Sequence, residues 1–424
     1  MRYLTSIFCI VVLLACNAEQ PEKFDNTPVP KLSLTRAELY DKVLGMLVGS
    51  AIGDAMGAPT EMWSREMIRL EYGFVNKLDS MVREPSAEGT WAWNLPAGGT
   101  TDDTRWKKLT IEYLLSGANA GELNPRQFAQ HLVNQYKSDI QNLKDTDSYS
   151  PEPFEDGARR MAWLQEWAQV ARPFATQDYV AYNDALSRFY GGEMVCAGLL
   201  YAPAIGAFYP ENPNKAYQQM YKVSLFDIGY ARDISSLAAA MTAAGMKKNA
   251  QKEDLIAVFR AVDPQGYFKS RLVGRVAFRL LREARLIVEK ANSLHTNEIN
   301  LSKLKFPKNV KTDTLYLAQM QRAFELLDAK NQDMPFHAGE IYLQVLTAML
   351  FSDFDFEKTL IFLVNFGRDN DTTSAVAGGI LGAYCGFEHL PKTMRQQVLA
   401  TNKTQLNTDL EALAAQLTAK ILLR

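Results

Sequence analysis

The chain is poor in the two residue types that mark disulfide-bonded and zinc-binding proteins. It holds four cysteines and four histidines among 424 residues. Besides Cys9 and Cys16 near the N-terminus, the thiols are Cys196 and Cys385, each in an apolar stretch rich in Ala and Gly. No Cys/His spacing fits zinc, and so few cysteines argue against a disulfide framework. Whether Cys196 and Cys385 pair is left open.

The chain also lacks an excess of either charge. Its 46 Lys and Arg residues face 48 Asp and Glu residues, which gives a formal net charge of −2. No overall positive field is therefore present to attract nucleic acid or anionic lipid. With 47% hydrophobic residues the composition is that of a globular protein, and its expected partner is a small molecule.

The N-terminus carries an apolar run over residues 7–14 that is too short to span a bilayer, and Arg2 precedes it. This pattern predicts a secretion signal over residues 1–15. It ends in "LLAC", which resembles a bacterial lipobox, so Cys16 is expected to be lipidated and to tether the domain outside the cytoplasmic membrane. An ordinary cleaved signal is the alternative. Residues 16–35 hold three prolines and few large apolar groups, which predicts a flexible linker.

From residue 36 onward, apolar residues recur at intervals of three and four, as in "VGRVAFRLLREARLIVEKA" and "EIYLQVLTAMLF". This period indicates amphipathic helices, and no segment shows convincing strand alternation. The breaks rich in Pro, Gly and Asn are too short to require a second domain. We therefore predict a single large, all-α, multi-helix domain over residues 36–424.

A stripe of glycines runs along the first predicted helix. One stands at every fourth residue, at Gly45, Gly49, Gly53 and Gly57. A helical glycine costs about 1 kcal/mol relative to alanine, so four on one face need an offsetting gain, which the close approach of another backbone would supply. Asp54 lies within this helix, and Pro59 ends it just before Glu61.

Two short motifs combine aspartate with threonine. The first acidic motif is "GGTTDDT", residues 98–104, and the second is "GRDNDT", residues 367–372. Each precedes a helical period, predicted to begin near Arg105 and near Ser374, so helix capping at about 1 kcal/mol for each cap is one interpretation. However, one cap needs one such residue, and neighbouring carboxylates repel one another. The alternative is a cage of hard oxygen ligands for magnesium, manganese or calcium, which requires the two motifs to meet in space.

Three segments together resemble the signature segments of the ADP-ribosylglycohydrolases: "GMLVGSAIGDAMGAPTE", "GGTTDDT" and "GRDNDTTSAVAGGILGAYCG". The resemblance implies an all-α fold around a binuclear site for two divalent cations, magnesium or manganese. The metal ligands that it implies are Thr101, Asp102, Asp103, Asp369, Asp371 and Thr372. Glu61 is the glutamate that it implies will close over the site.

The activity implied by the resemblance is hydrolysis at the anomeric carbon of ADP-ribose, attached to a small molecule or to a protein. Such a reaction passes through an oxocarbenium-like state, so the site has to hold the ribose, stabilise charge and deliver water. Two cations can do all three. A carboxylate would take the proton of the water, and the candidates are Glu61, Asp102, Asp103 and Asp369.

Two glycine pairs are candidates for binding a diphosphate through backbone N–H groups: Gly98 with Gly99, and Gly191 with Gly192. The alternative for each pair is a simple turn. Tyr230 stands near the place of a histidine that is common in the family, and it is a further candidate for substrate binding.

The middle of the chain departs from the family pattern, because "GGEMVCAGLLYAP" has no arginine after Met194. Three functions are therefore considered. The first is a metal-dependent hydrolase of ADP-ribose conjugates or of a related ribosyl compound. The second is the same scaffold retargeted to another extracytoplasmic glycoside or nucleoside, and the third is a non-catalytic binding or structural protein. Oligomeric state is not predicted.

Overall fold

The computed structural model describes residues 24–81, 95–117, 121–144, 151–300, 304–306, 310 and 312–424. The predicted signal over residues 1–15, the predicted lipidation site Cys16 and the linker up to residue 23 lie outside these ranges. Within them the structure is helical and holds no strand beyond isolated β-bridges, which confirms the all-α prediction. No helix in these ranges is long and apolar enough to cross a bilayer.

The first part of the domain contains nine of the α-helices. They are α1 (Arg36–Gly57), α2 (Arg65–Glu71), α3 (Asp102–Gly117), α4 (Pro125–Lys144), α5 (Pro151–Ala175), α6 (Tyr179–Leu186), α7 (Ala202–Phe208), α8 (Pro213–Val223) and α9 (Ala231–Gly245). A short 3₁₀ turn, Ala58–Thr60, continues α1 and leads directly to Glu61.

The second part of the domain contains the remaining helices of the described residues. They are α10 (Lys252–Ala261), α11 (Val276–Asn292), α12 (Thr314–Asp328), α13 (Ala338–Phe351), α14 (Phe356–Phe366), α15 (Asn370–Cys385), α16 (Lys392–Gln405) and α17 (Leu410–Leu422).

Local sequence signals set where several of these helices begin. Thr35 and Glu38 form a capping box at α1, in which each side chain accepts the backbone N–H of the other residue, at 3.2 and 2.8 Å. Asp355 and Asp409 cap α14 and α17, because each carboxylate accepts the N–H three residues further on. Caps of this kind stabilise a helix by about 1 kcal/mol each.

Helices α1 and α15 form the central pair of the fold and pack through glycine. A Cβ atom on Gly49 or Gly53 would fall far inside van der Waals contact with a backbone carbonyl oxygen of α15. Ser50 Oγ adds a buried hydrogen bond across the pair, to the Ala375 carbonyl at 2.9 Å. The glycine stripe predicted the close approach of another backbone, and this approach is confirmed. It also places the end of α1 at Gly57 against the backbone of Asp371, at the start of α15.

Residues 24–35, the described part of the predicted linker, lie against the domain. Val29 is 5% exposed and Leu34 is 1% exposed. The Ser33 N–H donates to Glu211 at 2.8 Å, and the ring of Phe24 packs on that of Tyr40 at 5.1 Å. Residues 24–35 were expected to be flexible, but the structure places them on the surface of the domain. The reason is that burial of their apolar side chains stabilises an ordered path.

Candidate metal and active site

The two acidic motifs, residues 98–104 and residues 367–372, are far apart in sequence but lie side by side in the fold. Thr101 Oγ1 in the first motif lies 3.3 Å from Asp371 Oδ2 in the second. Thr372 Oγ1 in the second motif donates to Asp103 Oδ2 in the first at 3.0 Å. The two motifs therefore meet in space, as a shared cation site requires.

Both helices at these motifs begin earlier than the sequence predicts: α3 begins at Asp102, not near Arg105, and α15 begins at Asn370, not near Ser374. The aspartates therefore belong to the first turns of helices. Asp369 is the N-cap residue of α15, but its side chain makes no capping hydrogen bond. Capping thus does not account for its carboxylate.

Asp54 holds the first acidic motif in place. Its fully buried carboxylate accepts four hydrogen bonds, from the N–H and hydroxyl groups of Thr101 and from those of Thr104, at 2.6–2.9 Å. These bonds satisfy N–H groups at the start of α3 from a different helix, which explains the early start. Sequence analysis noted Asp54 but missed this role, because the partners are 47–50 residues away.

Glu61, Asp369 and Asp371 form a compact carboxylate cluster, in which one oxygen of each side chain lies within 4.8 Å of the others. Backbone pairing brings Glu61 there: the Met62 N–H donates to the Arg368 carbonyl at 2.7 Å, and the Arg368 N–H donates to the Trp63 carbonyl at 3.1 Å. The loop after α1 is thus bound directly to the segment that precedes α15.

The neighbouring arginine does not neutralise this cluster. Arg368 pairs instead with Glu340 on α13, at 2.7 and 2.9 Å. Asp369 and Asp371 are 3% and 2% exposed. Burial, followed by the charge of a neighbouring carboxylate, raises the pKa of each of these two groups well above its usual value. The ionised form of the cluster is therefore unfavourable by itself, and a bound cation would stabilise it.

Asp103 lies behind the cluster and has a cation of its own. Lys107 is fully buried, and its Nζ lies 3.6 Å from Asp103 Oδ1 and donates to the Asp103 carbonyl at 3.1 Å. Burial raises the pKa of Asp103 and lowers that of Lys107, and the ion pair opposes both shifts. No local pattern distinguishes this buried lysine, because lysines on helices are typically solvated.

A cavity of about 750 Å³ opens over the carboxylate cluster. Its floor contains Glu61, Thr101, Asp102, Asp369, Asp371 and Thr372. Its other walls carry polar side chains from α3 and α4 and a group of aromatic residues, among them Trp163, Tyr190 and Phe336. The volume is in the range of small-molecule and cofactor sites.

Residues 35–423 match the family model described as ADP-ribosylglycohydrolase. The chain belongs to the ADP-ribosylglycohydrolase family. The match covers most of the chain and confirms the resemblance of the three signature segments, and the family is one of glycohydrolases.

This chain is similar, at low sequence identity, to a bacterial protein and to a solved structure. The uncharacterized protein YegU of Escherichia coli (strain K12) is 28% identical over 94 residues, which are 22% of this chain and 26% of that protein. A solved structure titled ADP-ribosylglycohydrolase-related protein complex is 18% identical, with a TM-score of 0.51, over 90% of this chain and 99% of that one. The structural likeness shows a shared fold.

The residues of the candidate site fit a hard divalent cation. The donor set is carboxylate and hydroxyl oxygen, without the thiolate or imidazole ligands typical of zinc. Asp103 Oδ1 is buried without a hydrogen-bond partner, and Cys196 Sγ lies 4.0 Å from Asp369 Oδ2 as a neutral thiol, because burial raises its pKa. Cys196 and Cys385 are not paired.

The residues predicted to bind substrate lie outside the cavity lining: Gly98, Gly99, Gly191, Gly192 and Tyr230. Gly98 instead packs against Gln397, and its carbonyl accepts from Asn402 at 3.0 Å. Tyr230 is the N-cap residue of α9, and its ring lies 6.3 Å from that of His337. Tyr190, the residue before the second glycine pair, does line the cavity.

Proposed function

We propose that this ADP-ribosylglycohydrolase uses two divalent cations, magnesium or manganese, to hydrolyse a ribosyl bond at the anomeric carbon of an ADP-ribose conjugate or a related ribosyl compound. The observation that carries the proposal is the buried cluster of Glu61, Asp369 and Asp371 beneath a cavity of about 750 Å³. Three ionised carboxylates this close together are costly without a cation.

The residues that would hold the cations are Thr101, Asp102, Asp103, Asp369, Asp371 and Thr372. Cations bound there would supply positive charge to orient the ribose hydroxyls and to lower the pKa of water. The chain itself supplies the fixed frame, because Asp54 and the α1–α15 contact hold the two motifs in register.

Glu61 is proposed to accept the proton of the attacking water. It differs from Asp369 and Asp371 in lying half-buried on a loop, where it lines the cavity. A carboxylate in reach of water and substrate meets the geometric condition for a general base. The neighbouring aspartates would also stabilise the positive charge that develops on the ribose.

A substrate panel with metal control tests the proposed function. We expect the full chain to cleave at least one ribosyl compound with manganese or magnesium, and a chelator to lower the rate at least about a hundredfold. The rate is to be restored by added metal. Glu61→Gln should lower turnover by about 10²–10⁴-fold, and Glu289→Gln, on the exposed face of α11, should not. Equal rates with and without chelator would refute the role of the metal.

We further propose that the domain is held outside the cytoplasmic membrane by a lipid on Cys16. The support is the apolar N-terminal run that ends in "LLAC". Expression in a bacterial host should give a mature chain that begins at Cys16 and carries the added mass of acyl groups, and Cys16→Ser should abolish both. A mature N-terminus elsewhere, without acyl mass, would favour an ordinary cleaved signal.

A further inference from the structure

One segment of the surface carries positive charge without a matching negative charge. Residues 264–282 run from the loop after α10 into α11, and they contain five Lys or Arg residues and no Asp or Glu. Four of these cations are exposed: Lys269, Arg271, Arg279 and Arg282. Among the described residues, the ion pairs of this region belong to Arg275 and Glu283 and not to these four cations. The segment therefore differs from the chain as a whole, whose charges nearly cancel.

The loop part of this segment, residues 264–275, also exposes large apolar side chains. We call it the basic loop. Leu272 is 97% exposed, Val273 is 58% exposed and Phe268 is 44% exposed. None of the three lines the cavity over the carboxylate cluster. Apolar side chains grouped in this way, with cations beside them, mark a surface that meets a partner.

The ends of the basic loop are fixed to the domain. Arg275 is 3% exposed and donates to both carboxylate oxygens of Asp233 on α9, at 2.8 and 3.2 Å. At the other end, the Asp263 carboxylate accepts the N–H groups of Tyr267 and Phe268 at 2.9 and 3.0 Å. The domain therefore presents Leu272 and Val273 to solvent from a built base.

The combination of groups on the basic loop matches the surface of an anionic lipid bilayer. The boundary between headgroups and acyl chains accepts single projecting apolar side chains without needing a shaped pocket. Anionic headgroups attract Lys and Arg, whose long side chains reach them from beside an inserted residue. An acidic protein would satisfy the cations, but it would also need a pocket for each projecting apolar side chain. The lipid surface is therefore the better match.

We propose that the basic loop inserts Leu272 and Val273 into the surface of an anionic phospholipid bilayer. Lys269 and Arg271 pair with headgroups beside the inserted residues, and the exposed arginines at the start of α11 extend the contact. This function goes beyond the proposed hydrolysis and does not depend on it, because the basic loop contributes no residue to the lining of the cavity.

The basic loop and the predicted lipid on Cys16 can meet the same bilayer. The Lys248 N–H donates to Ser33 Oγ at 3.3 Å, which places the described N-terminal segment next to the turn before α10. Helix α10 has 10 residues and therefore spans about 15 Å from that turn to the basic loop. Cys16 precedes Phe24 by eight residues, and a chain of that length reaches about 28 Å at most. The two membrane contacts are therefore compatible.

Co-sedimentation with vesicles tests the basic loop without the lipid on Cys16. The protein is a chain that begins at residue 24 and keeps every described residue of the packed domain. We expect it to bind vesicles of phosphatidylglycerol and phosphatidylcholine in equal amounts at least about tenfold more tightly than vesicles of phosphatidylcholine alone. Binding should weaken as salt is added, because salt screens the attraction between the cations and the headgroups.

Two double variants separate the apolar from the charged contribution. Leu272→Ser/Val273→Ser should weaken binding to the anionic vesicles at least about tenfold, because it removes the inserted apolar surface. Lys269→Gln/Arg271→Gln should also weaken it at least about tenfold, because two cations near the surface are lost. All four side chains are exposed, so the melting temperatures should match that of the parent.

A matched control removes the same apolar residue types elsewhere. In Leu70→Ser/Val180→Ser the replaced side chains are 74% and 75% exposed, on α2 and α6. This variant should bind vesicles as the parent does. Equal binding by the control and the Leu272/Val273 variant would show that the basic loop is not the contact.

The outcomes decide both parts of the proposal. If the parent chain does not bind anionic vesicles, the lipid assignment is overturned in favour of an acidic protein partner. If the charge variant loses binding and the apolar variant keeps it, the protein adsorbs by charge alone, and the insertion of Leu272 and Val273 is wrong. Loss of binding in both variants, with the control unchanged, supports insertion of the basic loop.

Discussion

The Asp371→Asn variant is expected to lose both hydrolysis and the rise in melting temperature that manganese gives to the parent protein. Asp371 belongs to the cluster with Glu61 and Asp369, and its Oδ2 lies 3.3 Å from Thr101 Oγ1 of the other motif. It is therefore the residue most central to the site. Replacing its carboxylate by an amide keeps the shape and removes one unit of charge, so turnover should fall at least about a hundredfold.

The fold should survive this change, because asparagine keeps an oxygen that can accept the Thr372 N–H, a bond of 2.8 Å in the parent. Melting curves in chelator should therefore be nearly unchanged. Saturating manganese at about a hundred times its Kd would add about 2.7 kcal/mol to the parent and almost nothing to the variant.

Asp355→Asn is the matched control, since Asp355 caps α14 through the Lys358 N–H at 2.8 Å and does not line the cavity. It should respond to manganese as the parent does. If Asp371→Asn kept the full manganese shift, Asp371 would be a cap like Asp355, and the assignment of the metal site would be wrong.

Gly53→Ala should unfold or severely destabilise the protein, by about 3–5 kcal/mol. The added Cβ would lie far inside van der Waals contact with the carbonyl of Ser374 on α15. Backbone atoms of two long, buried helices cannot move aside as a flexible side chain would. Alanine also gains about 1 kcal/mol of helix propensity, so the steric cost has to exceed that gain. Urea or thermal unfolding measures the difference.

Gly245→Ala provides the comparison. Gly245 ends α9, and a Cβ there would meet the nearest atoms of Tyr384 at 3.3 Å, a distance that small shifts can accommodate. Its free energy of unfolding should stay within about 1 kcal/mol of the parent. Equal stability of the Gly53 and Gly245 variants would show that the backbones of α1 and α15 are further apart than in the structure.

Much of the fold was predictable, because the signals that set it are local. Apolar residues at three- and four-residue intervals indicated the helices, and Pro59 marked the end of α1 just before Glu61. The glycine stripe even predicted a close backbone neighbour. It did not identify α15 as that neighbour, since any glycine-bearing helix satisfies the same pattern.

The acidic groups of the candidate site were predictable, and their surroundings were not. The sequence by itself determined that acid and hydroxyl side chains in excess of what capping needs stand in two linear motifs. Tertiary structure alone decided that Asp54 fixes the start of α3, that Lys107 is buried beside Asp103, and that Glu112 and Asp139 face the cavity. These facts depend on which side chains from distant segments exclude water from one another, and no local period or spacing encodes that choice.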